Sequence, residues 1–126
     1  MKNHDLKEEF STGKIIAAAI EVHRILGPGF LESAYHKALE KELSFRYISH
    51  ESEKSIKVFY KNEIVAEHKL DMFVEDKVVV ELKTVKEISD VYISQVVAYL
   101  KATNTRVGLI LNFSKPRLEI KRVVWN

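Results

Sequence analysis

Residues Leu70 to Lys83 read LDMFVEDKVVVELK, two apolar runs separated by the charged tripeptide Glu75-Asp76-Lys77. The pattern predicts two antiparallel strands and a tight turn, and the length of that turn decides which side chains share a face. A two-residue loop would pair Val74 with Lys77 and mix charges with core residues on both faces. A three-residue loop, Glu75 to Lys77, pairs Val74 with Val78 instead. One face then carries Leu70, Met72, Val74, Val78, Val80 and Leu82, all apolar. The other carries Asp71, Phe73, Val79, Glu81 and Lys83. A slip of one residue flips every side chain, so burial selects the three-residue loop. In that register Asp71 faces Glu81 across the pair with Cβ atoms about 5 Å apart, and Lys83 follows two residues on.

Two facing carboxylates repel unless positive charge lies between them. Lys83 supplies some of it, and a divalent cation supplies more. Mg²⁺ accepts carboxylate oxygens and keeps waters for a phosphate substrate. Asp, Glu and Lys at this spacing suit metal-assisted phosphodiester hydrolysis. The same spacing also suits a structural salt bridge on a half-exposed sheet face.

The remaining sequence places this hairpin in a layered domain. With 126 residues the chain has the length of one domain, residues 1–126, and the polar opening MKNHDLKEEF is expected to be a loose arm over residues 1–10. Ser11 and Thr12 are candidate N-caps for a helix from about Lys14 to Leu26. Gly27-Pro28-Gly29 ends it, and a second helix is expected over 30–46. From Ser55 the apolar period becomes two, giving a three-strand meander through Val85. Ser89 or Asp90 caps a third helix ending near Thr103. Two strands follow, Arg106 to Phe113 and Ile120 to Trp125. The order ααβββαββ defines an α/β (α+β) layer architecture.

Composition narrows the function classes. Without cysteine there are no disulfides, no thiolate catalysis and no cysteine-based zinc site, a pattern compatible with a cytoplasmic protein. No apolar run approaches the ~18 residues of a membrane span, so no membrane partner is expected. A net charge of +2 does not mark a nucleic-acid binder, although Lys115, Arg117, Lys121 and Arg122 could form a local basic patch.

The Asp71 and Glu81-Leu82-Lys83 set resembles the signature of the PD-(D/E)XK nuclease superfamily. More closely, the chain resembles the GxxExxY family within it: Gly29-Phe30-Leu31-Glu32-Ser33-Ala34-Tyr35 matches the naming motif. EVHRILGPG, LDMFVEDKVVVELK, QVVAYLKAT and IKRVV follow the same pattern in the same order, from about Ile15 to Val124. The resemblance implies a restriction-endonuclease-like core, a central mixed β-sheet flanked by helices. It implies a nuclease dependent on Mg²⁺ or Mn²⁺, with Asp71, Glu81 and Lys83 catalytic and Asp71, Glu81 and Glu32 holding the metal. Gln95 and Tyr99 fit the Gln-x-x-x-Tyr pattern of RecB-like exonucleases, so with Tyr35 they are expected at the substrate. RecB-like enzymes also use a helical histidine as a metal ligand, which keeps His23 and His36 as candidates. A satisfied core histidine is the competing reading for His23.

The implied partner is nucleic acid, DNA ahead of RNA. A lone core of this size has little left to grip a duplex, so it is expected to form a homodimer, bind single strands or ends, or depend on a partner. The alternative function is a catalytically silent nuclease-like fold that binds nucleic acid or protein.

Overall fold

The computed structural model describes residues 3–126, with side chains from Lys7 onward. In chain order the elements are α1 (Asn3–Leu26), α2 (Glu32–Phe45), β1 (His50–Tyr60), β2 (Glu63–Val74), β3 (Val78–Lys83), α3 (Asp90–Thr103), β4 (Val107–Asn112) and β5 (Glu119–Val124). This is the expected ααβββαββ order, an α+β fold. The five strands form one mixed sheet in the order β1-β2-β3-β4-β5. All neighbours are antiparallel except β3 and β4, which run parallel with Val78 beside Val107 and Lys83 beside Asn112. Parallel neighbours need a crossover, and α3 supplies it.

Two apolar layers sandwich the sheet. Beneath α1 and α2, Ile15, Ala19, Tyr35, Leu39 and Leu43 pack on Met72, Val80, Leu82, Leu109 and Leu111. Beneath α3, Val96, Tyr99 and Leu100 pack on Ile56, Phe73, Val79, Ile110 and Val123. The central strands β3 and β4 are covered on both sides and read as unbroken apolar runs, as buried parallel strands do. At Gly108 an added Cβ would lie 2.6 Å from Val96 Cγ1 and 3.3 Å from the Val79 carbonyl oxygen. A side chain there would push α3 off the sheet.

The β2–β3 turn has the odd length that burial demands. Val74 pairs with Val78, Phe73 with Val79 and Met72 with Val80. Glu75 and Asp76 both take left-handed backbone, φ 53 and 55, and the Lys77 N–H closes the turn on the Val74 carbonyl at 3.0 Å. Such φ values strain non-glycine residues. Contacts to α1 offset the strain: Glu75 accepts the Ser11 hydroxyl at 2.8 Å and pairs with Lys14 Nζ at 2.8 Å.

Those contacts correct the reading of the N-terminus. The expected loose arm is helical from Asn3, and Met1 and Lys2 lie outside the described residues. Ser11 and Thr12 do not cap a helix start. They are buried mid-helix, Ser11 on Glu75 and Thr12 bonded back to the Glu9 carbonyl at 3.0 Å. Tertiary contacts with the β2–β3 turn favour helix where local sequence favours a cap. β1 also starts earlier than expected, at His50. Leu70, expected beside Met72, packs in the α3-side layer instead. Pairing with β3 has ended by Leu70, and Glu53 on the neighbouring strand has φ 52, so strict alternation no longer holds there.

Candidate active site

β2 and β3 stop pairing backbone to backbone after Met72 and Val80, and the next residues on each strand are the two acids. The carboxylates take over from the ladder. Glu81 Oε2 accepts the Asp71 N–H at 2.8 Å, and Asp71 Oδ2 accepts the Leu82 N–H at 2.8 Å. Each acid therefore satisfies an amide that the parting strands would otherwise leave unpaired. One oxygen of each carboxylate is used in this way, and the other remains for a further partner.

Glu81 is only 4% exposed. Burial and then the Asp71 charge push its carboxyl up to about 8, against the opposing effects of the Asp71 amide and Lys83. Lys83 ends β3 with its Nζ 4.6 Å from the centre of the Tyr92 ring on α3. That cation–π contact holds the ammonium over the α3 ring, and its charge lowers the Glu81 carboxyl. The Lys83 carbonyl accepts the Phe113 N–H at 2.9 Å, tying the strand end to the chain after β4.

Glu32 occupies the first turn of α2 and is exposed. Partial burial and the Asp71 charge raise its carboxyl, and Lys83 and His36 lower it, so it shares the electrostatic field of the site. It does not complete a three-acid shell. Among the described residues no three His, Asp or Glu side chains converge to hold an ion.

Tyr99 on α3 is 6% exposed, and its hydroxyl is pushed up by burial and by the charges of Glu81 and Asp71. It lies within the same field, with the His68 ring 5.9 Å away. Gln95, one turn earlier, is exposed and lines a groove together with Tyr99.

Two candidates have structural work instead. Tyr35 is fully buried, so it cannot touch a substrate. Its hydroxyl donates to the Gly27 carbonyl at 2.6 Å and accepts the Phe30 N–H at 3.1 Å, while its ring stacks on Phe113 at 4.6 Å. It locks the turn formed by Gly27 and Gly29, whose φ values of 65 and 113 suit glycine. His23 is likewise engaged within the fold. Its Nε2 donates to the Lys115 carbonyl at 2.8 Å and its ring stacks against Phe113, which makes it a satisfied core histidine. His36 faces Glu40 at 4.0 Å.

Sequence reasoning missed Asn112. It is fully buried at the end of β4, beside Lys83. Its amide accepts the Val85 N–H at 3.0 Å and donates to the Val85 carbonyl at 2.8 Å and to Glu119 at 2.9 Å. The Ser114 hydroxyl donates to the same Val85 carbonyl. The chain leaving Lys83 is thus held on both sides. A polar residue closing the apolar run VGLIL was the available signal. Of the basic C-terminal residues, Lys115 pairs with Glu119 at 3.0 Å and Arg122 donates to Thr12 at 3.2 Å, while Arg117 and Lys121 are exposed.

A mixed sheet whose β2 and β3 part at two acids, with a lysine at the following strand end and helices on both faces, defines a restriction-endonuclease-like core. A family model described as the PD-(D/E)XK nuclease superfamily matches residues 9–123. The chain belongs to that superfamily. Among solved structures, the fold is similar to one titled "Crystal structure of SSO0001", with TM-score 0.61 and 16% identity. The similarity covers 73% of this chain and 48% of the other, so the chain spans about half of that protein's length. No curated protein matches the sequence. No helix among the described residues is long and apolar enough to cross a membrane.

Proposed function

We propose that this protein is a divalent-metal-dependent nuclease that hydrolyses phosphodiester bonds at Asp71, Glu81 and Lys83, and that it belongs to the GxxExxY branch of its superfamily. One observation carries the reading: two carboxylates, one of them buried, meet where β2 and β3 part, with Lys83 two residues after Glu81 at the end of β3. Two acids this close are electrostatically costly, and the raised carboxyl of Glu81 registers that cost.

The donor set fits a hard cation, since it offers carboxylate oxygens only and leaves one oxygen of each acid to bind it. Mg²⁺ or Mn²⁺ held there would polarise the phosphate and offset the negative charge of the reacting centre. Asp71 and Glu81 would hold the ion. The Lys83 ammonium, braced on Tyr92, would orient the attacking water and balance charge on the phosphate. Glu32 would take waters at the margin of the site. Gln95 and Tyr99 would contact the substrate strand, with DNA favoured over RNA. The cytoplasm is the compartment this reading assigns.

The test incubates pure protein with labelled single- and double-stranded DNA and RNA in Mg²⁺ or Mn²⁺, with Lys83→Ala alongside. Cleavage is expected from the wild type, slowed about a hundredfold or more in the variant. Equal cleavage by both would assign the activity to a contaminant. Cleavage by neither would favour a binding module.

A further inference from the structure

The outer part of the β1–β2 hairpin projects beyond β3, because β2 pairs with β3 only from Met72 to Val74. Between this arm and α3 runs a groove of about 590 Å³. Its apolar floor is Ile56 and Ala98, and Tyr99 lines the same groove. His68, three residues before Asp71 on β2, lines it against the Tyr99 ring, so the groove runs toward the acid pair. The Tyr99 hydroxyl is pushed up by burial and by the Glu81 and Asp71 charges. A further flat ring, Phe59, lines it and is 60% exposed. The charged side chain on its α3 wall is cationic, Lys101. The Lys57 side chain alternates to the other face of β1 with Glu67, which accepts the Ser55 hydroxyl.

We infer that this groove is a binding track for single-stranded DNA, leading the strand to or from the acid pair. The inference rests on the nuclease reading of that pair and adds a substrate class to it. Rings and an apolar floor with the Lys101 ammonium at the edge suit unstacked bases with a phosphate backbone alongside. A duplex keeps its bases stacked inside and would leave Phe59 and the floor uncovered. The exposed lining of the groove is mainly apolar, which favours DNA over RNA, whose 2′-hydroxyls would have to be desolvated against it.

The test measures binding without cleavage: fluorescence anisotropy of labelled dT15 in EDTA, against a 15-base-pair duplex and rU15. The expected order is dT15 tightest. Phe59→Ala should weaken dT15 about tenfold through lost stacking. Lys101→Ala should reduce the slope of log K against log salt by about 0.7, the share of one phosphate contact. Both variants alter exposed side chains, and thermal melts would confirm that they fold. Duplex or rU15 binding at least as tight as dT15, or variants that bind like wild type, would overturn the track. A dimer dissolved by Phe59→Ala and unaffected by dT15 would overturn it too, giving the groove to a second copy. Groove-dependent dT15 binding without hydrolysis in Mg²⁺ would sink the nuclease reading alone. Hydrolysis with groove-independent binding would sink the track alone.

Discussion

Asp71 and Glu81 each bond to the other's strand: Glu81 takes the Asp71 amide and Asp71 takes the Leu82 amide, both at 2.8 Å. The same two side chains thus close a sheet and concentrate negative charge at one point. Structural and chemical demands on them conflict, and the predictions below separate the two.

Added Mn²⁺ should stabilise the wild type in thermal melts, by about 2.7 kcal/mol at a hundred times its dissociation constant. Asp71→Asn should lose this stabilisation, because an amide offers a cation less charge while still accepting the Leu82 N–H. Equal stabilisation of wild type and variant would place the ion elsewhere.

In metal-free buffer, stability should carry the mark of Glu81. Its folded-state carboxyl lies above the ordinary value of 4.5, at about 8. The folded protein therefore holds this proton more tightly than the unfolded chain. The resulting stability is fully present below pH 4.5 and is lost as pH rises toward and through 8. Glu81→Gln removes the ionisation and keeps an oxygen for the Asp71 amide. Relative to wild type, its Tm should therefore improve between pH 5 and pH 8, by several degrees for a gain of about 2 kcal/mol. A Tm difference that does not change with pH would contradict the raised carboxyl.

Tyr35→Phe keeps the stacked ring and removes the hydroxyl that bridges Gly27 and Phe30. Both partners then lose a buried bond, at a cost of about 1–3 kcal/mol measurable by urea denaturation. Binding of dT15 should be unchanged. Weakened DNA binding at full stability would restore Tyr35 to the substrate-contacting set.

Gly108→Ala should destabilise by about 1–3 kcal/mol, since its methyl group would sit against Val96 and the Val79 carbonyl. Val96 is buried and β-branched, with little freedom to swing away. The variant should also weaken dT15 binding, because α3 carries one wall of the groove. Calorimetric melts and anisotropy check the two effects, and an unchanged Tm would show that α3 yields without cost.

Much of this fold was legible in short-range pattern. Alternation in Leu70 to Lys83 fixed the register of β2 on β3, because only an odd-length loop keeps Met72, Val74, Val80 and Leu82 on one buried face. The continuous apolar runs VVV and VGLIL marked strands covered on both sides, and Ser89 with Asp90 marked the start of α3. The acid pair itself was readable, since parity alone places Asp71 and Glu81 on one face.

Tertiary structure decided what those residues do. The sequence could place Asp71 opposite Glu81, but only the parting of the strands turned that pairing into side chains holding backbone amides. The partners of His23 and Ser11 lie 92 and 64 residues away. No local period reports contacts at such separations. Tyr35 carries a motif that resembles a functional signature, yet packing behind the Gly27–Gly29 turn gives it a structural role. Periodicity records which side of an element is buried. What it is buried against depends on how distant elements meet, and at this site that distinction separates the residues facing the acid pair from those that hold the scaffold.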